Sequence, residues 1–217
     1  MSTKKRTAIL ISGRGSNMQS LVEAARAADY PAEIVLIASN RPEAPGIGWA
    51  EKQGLATAII DHKLYPSREA FEAQLQTALE AHGVELIALA GFMRLMTPAF
   101  VERWRDRMIN IHPSLLPSFK GLHTHERALE AGVKIAGCTV HFVRAEMDDG
   151  PIIAQAAVPV LPSDSPDTLA ARVLAAEHRV YPAALRLVAA GGIQSRDQKV
   201  TIIQHSGETD SLFSPAI

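Results

Sequence analysis

Along the first half of the chain, short apolar runs alternate with longer stretches whose apolar residues recur at helical spacing. Residues 7–11 read as a buried strand, 17–28 as a helix, 33–39 as a second strand and 46–53 as a short helix. A third strand is expected over 56–60, then a long helix over 67–82 with Ser67 as its N-cap. Residues 86–90 give a fourth strand, Pro98 opens a helix running to about Arg105, and 108–111 give a fifth strand. This strand–helix rhythm predicts a parallel sheet with helices on both faces.

The pattern changes after His123. A helix over about 123–131 leads into a strand at 135–143, the loop Asp148-Asp149-Gly150-Pro151, and another strand at 152–160. Two strands joined by an acidic, glycine-containing loop predict an antiparallel hairpin added to the parallel sheet. A last helix is expected from about Ser165 to Ala190, interrupted or kinked at Pro182. Beyond Gly192 the sequence offers one strand candidate, 200–204, and a polar end expected to be loose. The 217 residues read as a single domain, with about 193–217 as a C-terminal extension.

Composition narrows the function classes. Apolar residues make up 47% and charged residues 21%, ordinary for a soluble globular chain. A formal net charge of -1 gives no broad surface for nucleic acid or an anionic membrane. Cys138 is the only cysteine, which excludes an internal disulfide and fits a reducing compartment. Lys4, Lys5 and Arg6 precede the apolar run Ala8 to Ile11, which is too short for a signal-peptide core. No run approaches the roughly 20 apolar residues of a membrane span. The expectation is a cytoplasmic enzyme or binding protein for small molecules, monomeric or homodimeric, without nucleic-acid or membrane partners.

Candidate chemistry concentrates in Ile109-Asn110-Ile111-His112-Pro113-Ser114-Leu115-Leu116-Pro117. Side chains at i and i+2 on a strand share a face, so Asn110 and His112 project together. A hydrogen-bond donor beside a proton carrier is what acyl transfer needs: one group holds a developing oxyanion and the other moves protons. Two satisfied polar residues at a buried strand end would look the same. Asp148 admits two readings as well. Asp-Asp-Gly-Pro is good turn chemistry, and its carboxylate can also lie near His112, orient the ring and favour its charged form. Thr139 and His141 alternate onto one face of their strand, either joining that polar network or facing solvent.

The first predicted strand ends in Ser12-Gly13-Arg14-Gly15-Ser16-Asn17-Met18, where a helix begins. Helix N-terminal amides bind anions, and glycines let a ligand approach the backbone. A dinucleotide fingerprint would need a third glycine at Met18 and an acid at the end of the second strand, where Ser39-Asn40 stands. A nicotinamide cofactor is therefore not expected. A single phosphate held by Gly15, Ser16 and Asn17 fits better, against a plain helix cap built from Ser16 or Asn17. His112, His123, His125 and Asp148 suggest a metal site only superficially. Side chains at 123 and 125 diverge at a helix start, and Thr124 as a cap beside two solvated histidines is simpler.

Taken in order, these segments resemble the phosphoribosylglycinamide formyltransferase family of folate-dependent formyltransferases. The likeness runs from Ala8 to about Ala190. It rests on the 12–17 loop, Ser67-Arg68-Glu69, Ala90-Gly91-Phe92-Met93-Arg94, Asn110 to Pro117, Gly121 to His125, Val140-His141-Phe142-Val143 and Asp148 to Pro151. It implies a Rossmann-like three-layer α/β sandwich, with a mostly parallel sheet and an antiparallel hairpin strand in its C-terminal half. It also implies transfer of a formyl group from 10-formyltetrahydrofolate, a co-substrate, to the amine of glycinamide ribonucleotide, with no metal or nicotinamide. Under this resemblance Asn110, His112 and Asp148 are catalytic, and Gly15, Ser16, Asn17 and Glu177 hold the ribonucleotide. Arg68, Met93, Arg94, Leu95, Met96 and Asn110 line the folate site, and the loop Arg144-Ala145-Glu146-Met147-Asp148 closes over the pterin. Two alternatives stay open: a hydrolase releasing formate from formyltetrahydrofolate, and a non-catalytic ribonucleotide-binding relative.

Overall fold

Thr7 to Ile11 at the centre of the molecule are all buried, as a strand covered on both sides must be. This strand is β1 (Lys5–Ile11) of a computed structural model that describes residues 3–203. With β2 (Ala32–Ser39), β3 (Thr57–Ile59), β4 (Leu86–Leu89), β5 (Met108–His112), β6 (Ile135–Phe142) and β7 (Ile152–Pro159) it forms a seven-stranded sheet. The spatial order is β3-β2-β1-β4-β5-β6-β7. β1 to β5 pair in parallel, and β6 runs antiparallel to both β5 and β7. The predicted parallel sheet with an added antiparallel hairpin is what forms.

Alternation along β1 sends its side chains to two cores. Ile9 and Ile11 pack with residues of α1 (Ser16–Ala25), α2 (Pro45–Lys52) and α6 (Pro166–Ala189), among them Leu21, Ile47 and Leu185. Ala8 and Leu10 face α3 (Arg68–Ala81) and α4 (Pro98–Arg103), meeting Phe71, Leu75 and Phe100. α5 (Thr124–Glu130) adds Ala128 to a smaller cluster with Cys138, Leu169 and Val173 at the β6 side. Because β1 is flanked by β2 and β4, the chain leaves it first one way and then the other. Loops at the carboxyl ends of such strands diverge and leave a crevice, the usual ligand position in these sheets.

Several boundaries differ from the sequence reading for identifiable reasons. Pro182 does not interrupt α6, which continues through it. Neighbouring contacts hold the helix there: Tyr30 Oη donates to Pro182 O at 2.7 Å, and the buried Tyr181 hydroxyl donates to Leu89 O at 2.9 Å. Thr124 is the first residue of α5 rather than its cap; His123 occupies the cap position at φ +57 with no side-chain hydrogen bond. Ser67 does cap α3, accepting from Ala70 N–H. The extension holds two strands where one was expected, β8 (Ile193–Arg196) and β9 (Lys199–Ile202), paired as a hairpin. Gln204 and the polar end lie outside the described residues. Among the described residues, no helix is long and apolar enough to cross a membrane.

Candidate active site

β5 runs on through His112, so Asn110 and His112 do share a face while Ile109 and Ile111 enter the opposite core. Its antiparallel neighbour sets His141 opposite Asn110 and Thr139 opposite His112. Asn110 Nδ2 lies 3.2 Å from His141 Nε2, and His141 Nδ1 lies 2.9 Å from Phe142 O. A carbonyl only accepts, so Nδ1 carries the proton and Nε2 accepts from the Asn110 amide. Burial pushes the His141 imidazole below its ordinary range, outweighing the opposing pull of the Phe142 carbonyl and Asp148, and so preserves this neutral form. One Asn110 N–H is thereby committed to His141, and the rigid amide directs the other.

His112, 6% exposed, has an acceptor at each ring nitrogen. Phe119 O lies 3.0 Å from Nε2, and Asp148 Oδ2 lies 3.4 Å from Nδ1. Asp148 sits on the β6–β7 loop at φ +53, a left-handed conformation that a short polar side chain tolerates. Its Oδ2 also accepts from Gly121 N–H at 2.9 Å, and its Oδ1 lies 3.9 Å from His141 Nε2. The carboxylate therefore ties the loop after β5 to the loop after β6 across the imidazole, and a Lys120–Asp149 ion pair joins the same two loops. Thr139 does neither of the two things its strand position suggested. It is fully buried, and its hydroxyl donates to Ser114 O and accepts from Leu116 N–H, holding the segment that follows His112.

At the end of β1, Gly15 is the N-cap of α1 at φ +73, and no side chain caps the helix. The first-turn amides are thus left open to an anion. A Cβ on Gly15 would come within 2.9 Å of Met18 Cε, besides being strained at that φ. Ser16 and Asn17 are the first helical residues and serve as neither cap. Asn17 Nδ2 instead donates to Glu177 Oε2 at 2.7 Å, bringing the predicted ribonucleotide residues together. Burial lifts the Glu177 carboxyl above the usual range, against the opposing hydrogen bond from Asn17. The side-chain amide oxygen of Asn17, Oδ1, is buried without a hydrogen-bond partner.

The loop after β4 is pinned at both ends. Ser12 Oγ accepts from Met93 N–H at 2.8 Å and donates to Asn40 Oδ1 at 2.6 Å. The buried Glu72 carboxylate accepts from Thr97 N–H at 2.6 Å and from the Thr97 hydroxyl. Arg94 lies 5.1 Å from the Phe71 ring centroid, and its Nε is buried without a partner. Arg68 precedes Phe71 and Glu72 by three and four helical positions, so it stands on the side of α3 that faces this loop. Met93 and Leu95 are each 60% exposed, and Leu122 and Met147 are exposed on the two neighbouring loops. These exposed apolar side chains lie on the loops that also carry the buried polar groups of the site.

Three predicted residues behave differently. Met96 is buried in the core with Phe71, leaving only its backbone for a ligand. The Arg144 guanidinium is buried against Asp106 at 2.5 Å, so it is not offered to a co-substrate; Ala145, Glu146 and Met147 are exposed beyond it. His125 is half-buried, and burial lowers its imidazole, so only His123 of that pair is solvated. Among the described residues no group of three or more His, Cys, Asp or Glu side chains is placed to hold a metal ion. The sequence reading did not single out Ser12, Glu72 or Thr97; a serine and a threonine at loop ends are common, and only the paired burial of Glu72 and Thr97 makes them distinctive.

The formyl transferase family model matches residues 5–185, which includes all of these groups. Phosphoribosylglycinamide formyltransferase of Escherichia coli strain K12 is 41% identical over 189 residues, covering 87% of this chain and 89% of its own length. The chain belongs to the phosphoribosylglycinamide formyltransferase family. The crystal structure of glycinamide ribonucleotide transformylase 1 from Symbiobacterium toebii shares the fold at TM-score 0.90 and 46% identity, covering 93% of this chain and 95% of that one. A formyltetrahydrofolate deformylase from Pseudomonas syringae superposes at TM-score 0.86 but 26% identity, covering 94% of this chain and 67% of that one. The trifunctional purine biosynthetic protein adenosine-3 of Bos taurus is 49% identical over 191 residues, 88% of this chain. The chain spans 19% of the length of that larger relative.

Proposed function

We propose that this protein transfers a formyl group from 10-formyltetrahydrofolate to the amine of glycinamide ribonucleotide, a step of purine biosynthesis. The observation that carries the reading is the spacing of two prepared sites at the carboxyl ends of strands in one sheet. The uncapped α1 terminus follows β1, and the Asn110–His112 pair ends β5, two strands away across β4. Neighbouring strands lie about 4.8 Å apart, so the sites are separated by roughly 10 Å, a span suited to a phosphate at one end and an amine at the other.

Within this reading Gly15, Ser16 and Asn17 hold the phosphate, while the unpartnered Asn17 oxygen and the Glu177 carboxylate accept from hydroxyl or amine hydrogens of the ribonucleotide. Arg68 and Arg94 suit an anionic tail, and Met93, Leu95, Leu122 and Met147 suit a flat ring. The substrate amine attacks the formyl carbon, and the carbonyl oxygen becomes an oxyanion. Asn110 donates its free N–H to that oxygen. His112, oriented by Asp148, moves the proton from the attacking nitrogen to the departing folate nitrogen. Loss of one oxyanion donor costs about 3–4 kcal/mol, a hundred- to thousandfold in rate.

The deciding assay supplies both substrates and follows formylated ribonucleotide against free formate. Formate without product would sink the transferase reading in favour of a hydrolase, and tight ribonucleotide binding with no turnover would mark a non-catalytic relative. Asn110→Ala, His112→Ala and Asp148→Ala are each expected to fold and to lose nearly all transfer. Wild-type activity in any one removes that residue from the mechanism.

A further inference from the structure

Arg144 begins the loop that carries Asp148, yet its side chain is only 6% exposed. The guanidinium donates to Asp106 Oδ1 at 2.5 Å, Val143 O at 3.0 Å and Gln198 Oε1 at 3.3 Å, and lies 3.5 Å from Ser195 Oγ. Asp106 belongs to the turn before β5, whereas Ser195 lies on β8 and Gln198 in the turn to β9. One buried cation therefore joins the start of the catalytic strand, the base of the Asp148 loop and the C-terminal hairpin. Only a planar, multi-donor fork reaches acceptors in several directions at once; an ammonium is a point charge.

The geometry on either side of Arg144 is constrained. Asp197 and Gln198 both have positive φ, +49 and +60, the conformation of a two-residue hairpin turn of the favoured hand. That turn brings Gln198 onto Arg144. At the other end of the loop, Phe142 N–H donates to Pro151 O at 3.0 Å. Gly150 sits so close that a Cβ would lie 1.7 Å from Phe142 O and 3.3 Å from Arg144 Cγ. The two ends of the loop thus meet at Arg144, and its far side delivers Asp148 to His112.

We propose that Arg144 is a positioning residue and that the C-terminal hairpin, acting through Ser195 and Gln198, fixes the base of the Asp148 loop and so the geometry at His112. The catalytic half of this statement rests on the formyl-transfer reading; the anchoring half does not.

Hydrogen exchange across the full chain separates the two. Arg144→Met and Gln198→Ala are expected to speed exchange of the 143–151 amides about tenfold, with β1 and β4 unchanged, because local opening follows the loss of its few anchoring contacts. In the two-substrate assay kcat should fall about tenfold to a hundredfold while KM for the ribonucleotide stays within about twofold, as expected for misplacement of a reacting group. Arg144→Lys should fall between wild type and Arg144→Met. Unchanged loop exchange in Arg144→Met and Gln198→Ala overturns the anchor. Faster exchange with wild-type kcat overturns the positioning role. If Arg144→Met fails to fold, Gln198→Ala, at an exposed turn, carries the same test. Should the wild type transfer no formyl group, the proposed function fails, and the exchange data still decide whether the hairpin anchors the loop.

Discussion

Asn110 keeps its amide oriented because His141 is neutral. Protonation of His141 would put a donor where the Asn110 amide needs an acceptor, releasing the amide from its orientation. Burial holds the folded imidazole below its unfolded value of 6.5. The unfolded chain therefore takes up the proton first, and the stability present above about pH 6.5 is lost as pH falls towards the folded value. His125 and His178 are shifted the same way by burial and add to this slope. Thermal melts between about pH 7 and pH 5 should show a shallower loss in His141→Gln than in wild type, since glutamine accepts without titrating. Equal slopes would remove His141 from the account. Glu177 works in the opposite sense, its carboxyl lifted by burial. Glu177→Gln should keep or raise stability at neutral pH while raising KM for the ribonucleotide about tenfold and leaving KM for the formyl donor unchanged. Equal effects on the two KM values would take Glu177 out of the proposed ribonucleotide site.

At the scale of elements, α3 and the loop after β4 form one unit through Glu72 and Thr97. Thr97→Val removes the hydroxyl from a buried carboxylate and also the cap that Thr97 Oγ provides to Phe100 N–H. A loss of about 2–4 kcal/mol is expected, from a charged hydrogen bond plus a helix cap, measured by denaturant titration. A loss under about 0.5 kcal/mol would mean that the loop is held by other contacts. Elements also set what the sequence discloses. Strand parity made the shared face of Asn110 and His112 legible. Parity cannot give register, and a one-residue slip of β6 would have put Phe142 opposite Asn110 instead of His141. The register shift between Val140 and His141 is likewise invisible in the residues alone. β8 was missed because Ile193 to Arg196 is only four residues long and has one large apolar side chain. Arg144 looked like a ligand arginine for a related reason: its partners come from a turn 38 residues earlier and a hairpin turn 54 residues later.

On the scale of the whole molecule, the sheet divides the interior into two cores that do not share side chains. Leu75 of α3 lies in one and Leu185 of α6 in the other, 2% and 0% exposed. Each Leu→Ala substitution should cost about 2–5 kcal/mol by leaving a cavity. The double variant should equal the sum of the singles within about 0.5 kcal/mol, because the sheet separates the sites. A larger departure would show the sheet itself deforming. The layered architecture was legible from the strand–helix rhythm, since each period of the pattern corresponds to a layer. The crevice between the diverging loops was foreseeable in position but not in content.

The hydrogen bond between Asn17 and Glu177 spans 160 residues of sequence. Contacts of such separation are made late, after nearer ones have closed the intervening chain. The residues of β1 and α1 leave the ribosome well before those of α6. The contact between Asn17 and Glu177 therefore forms only when α6 docks. On the proposed reading, a nascent chain stalled before Glu177 should show no ribonucleotide retention, since α6, against which α1 packs, is not yet complete. On that reading, competence to bind arrives as one of the last events of the protein's own biogenesis.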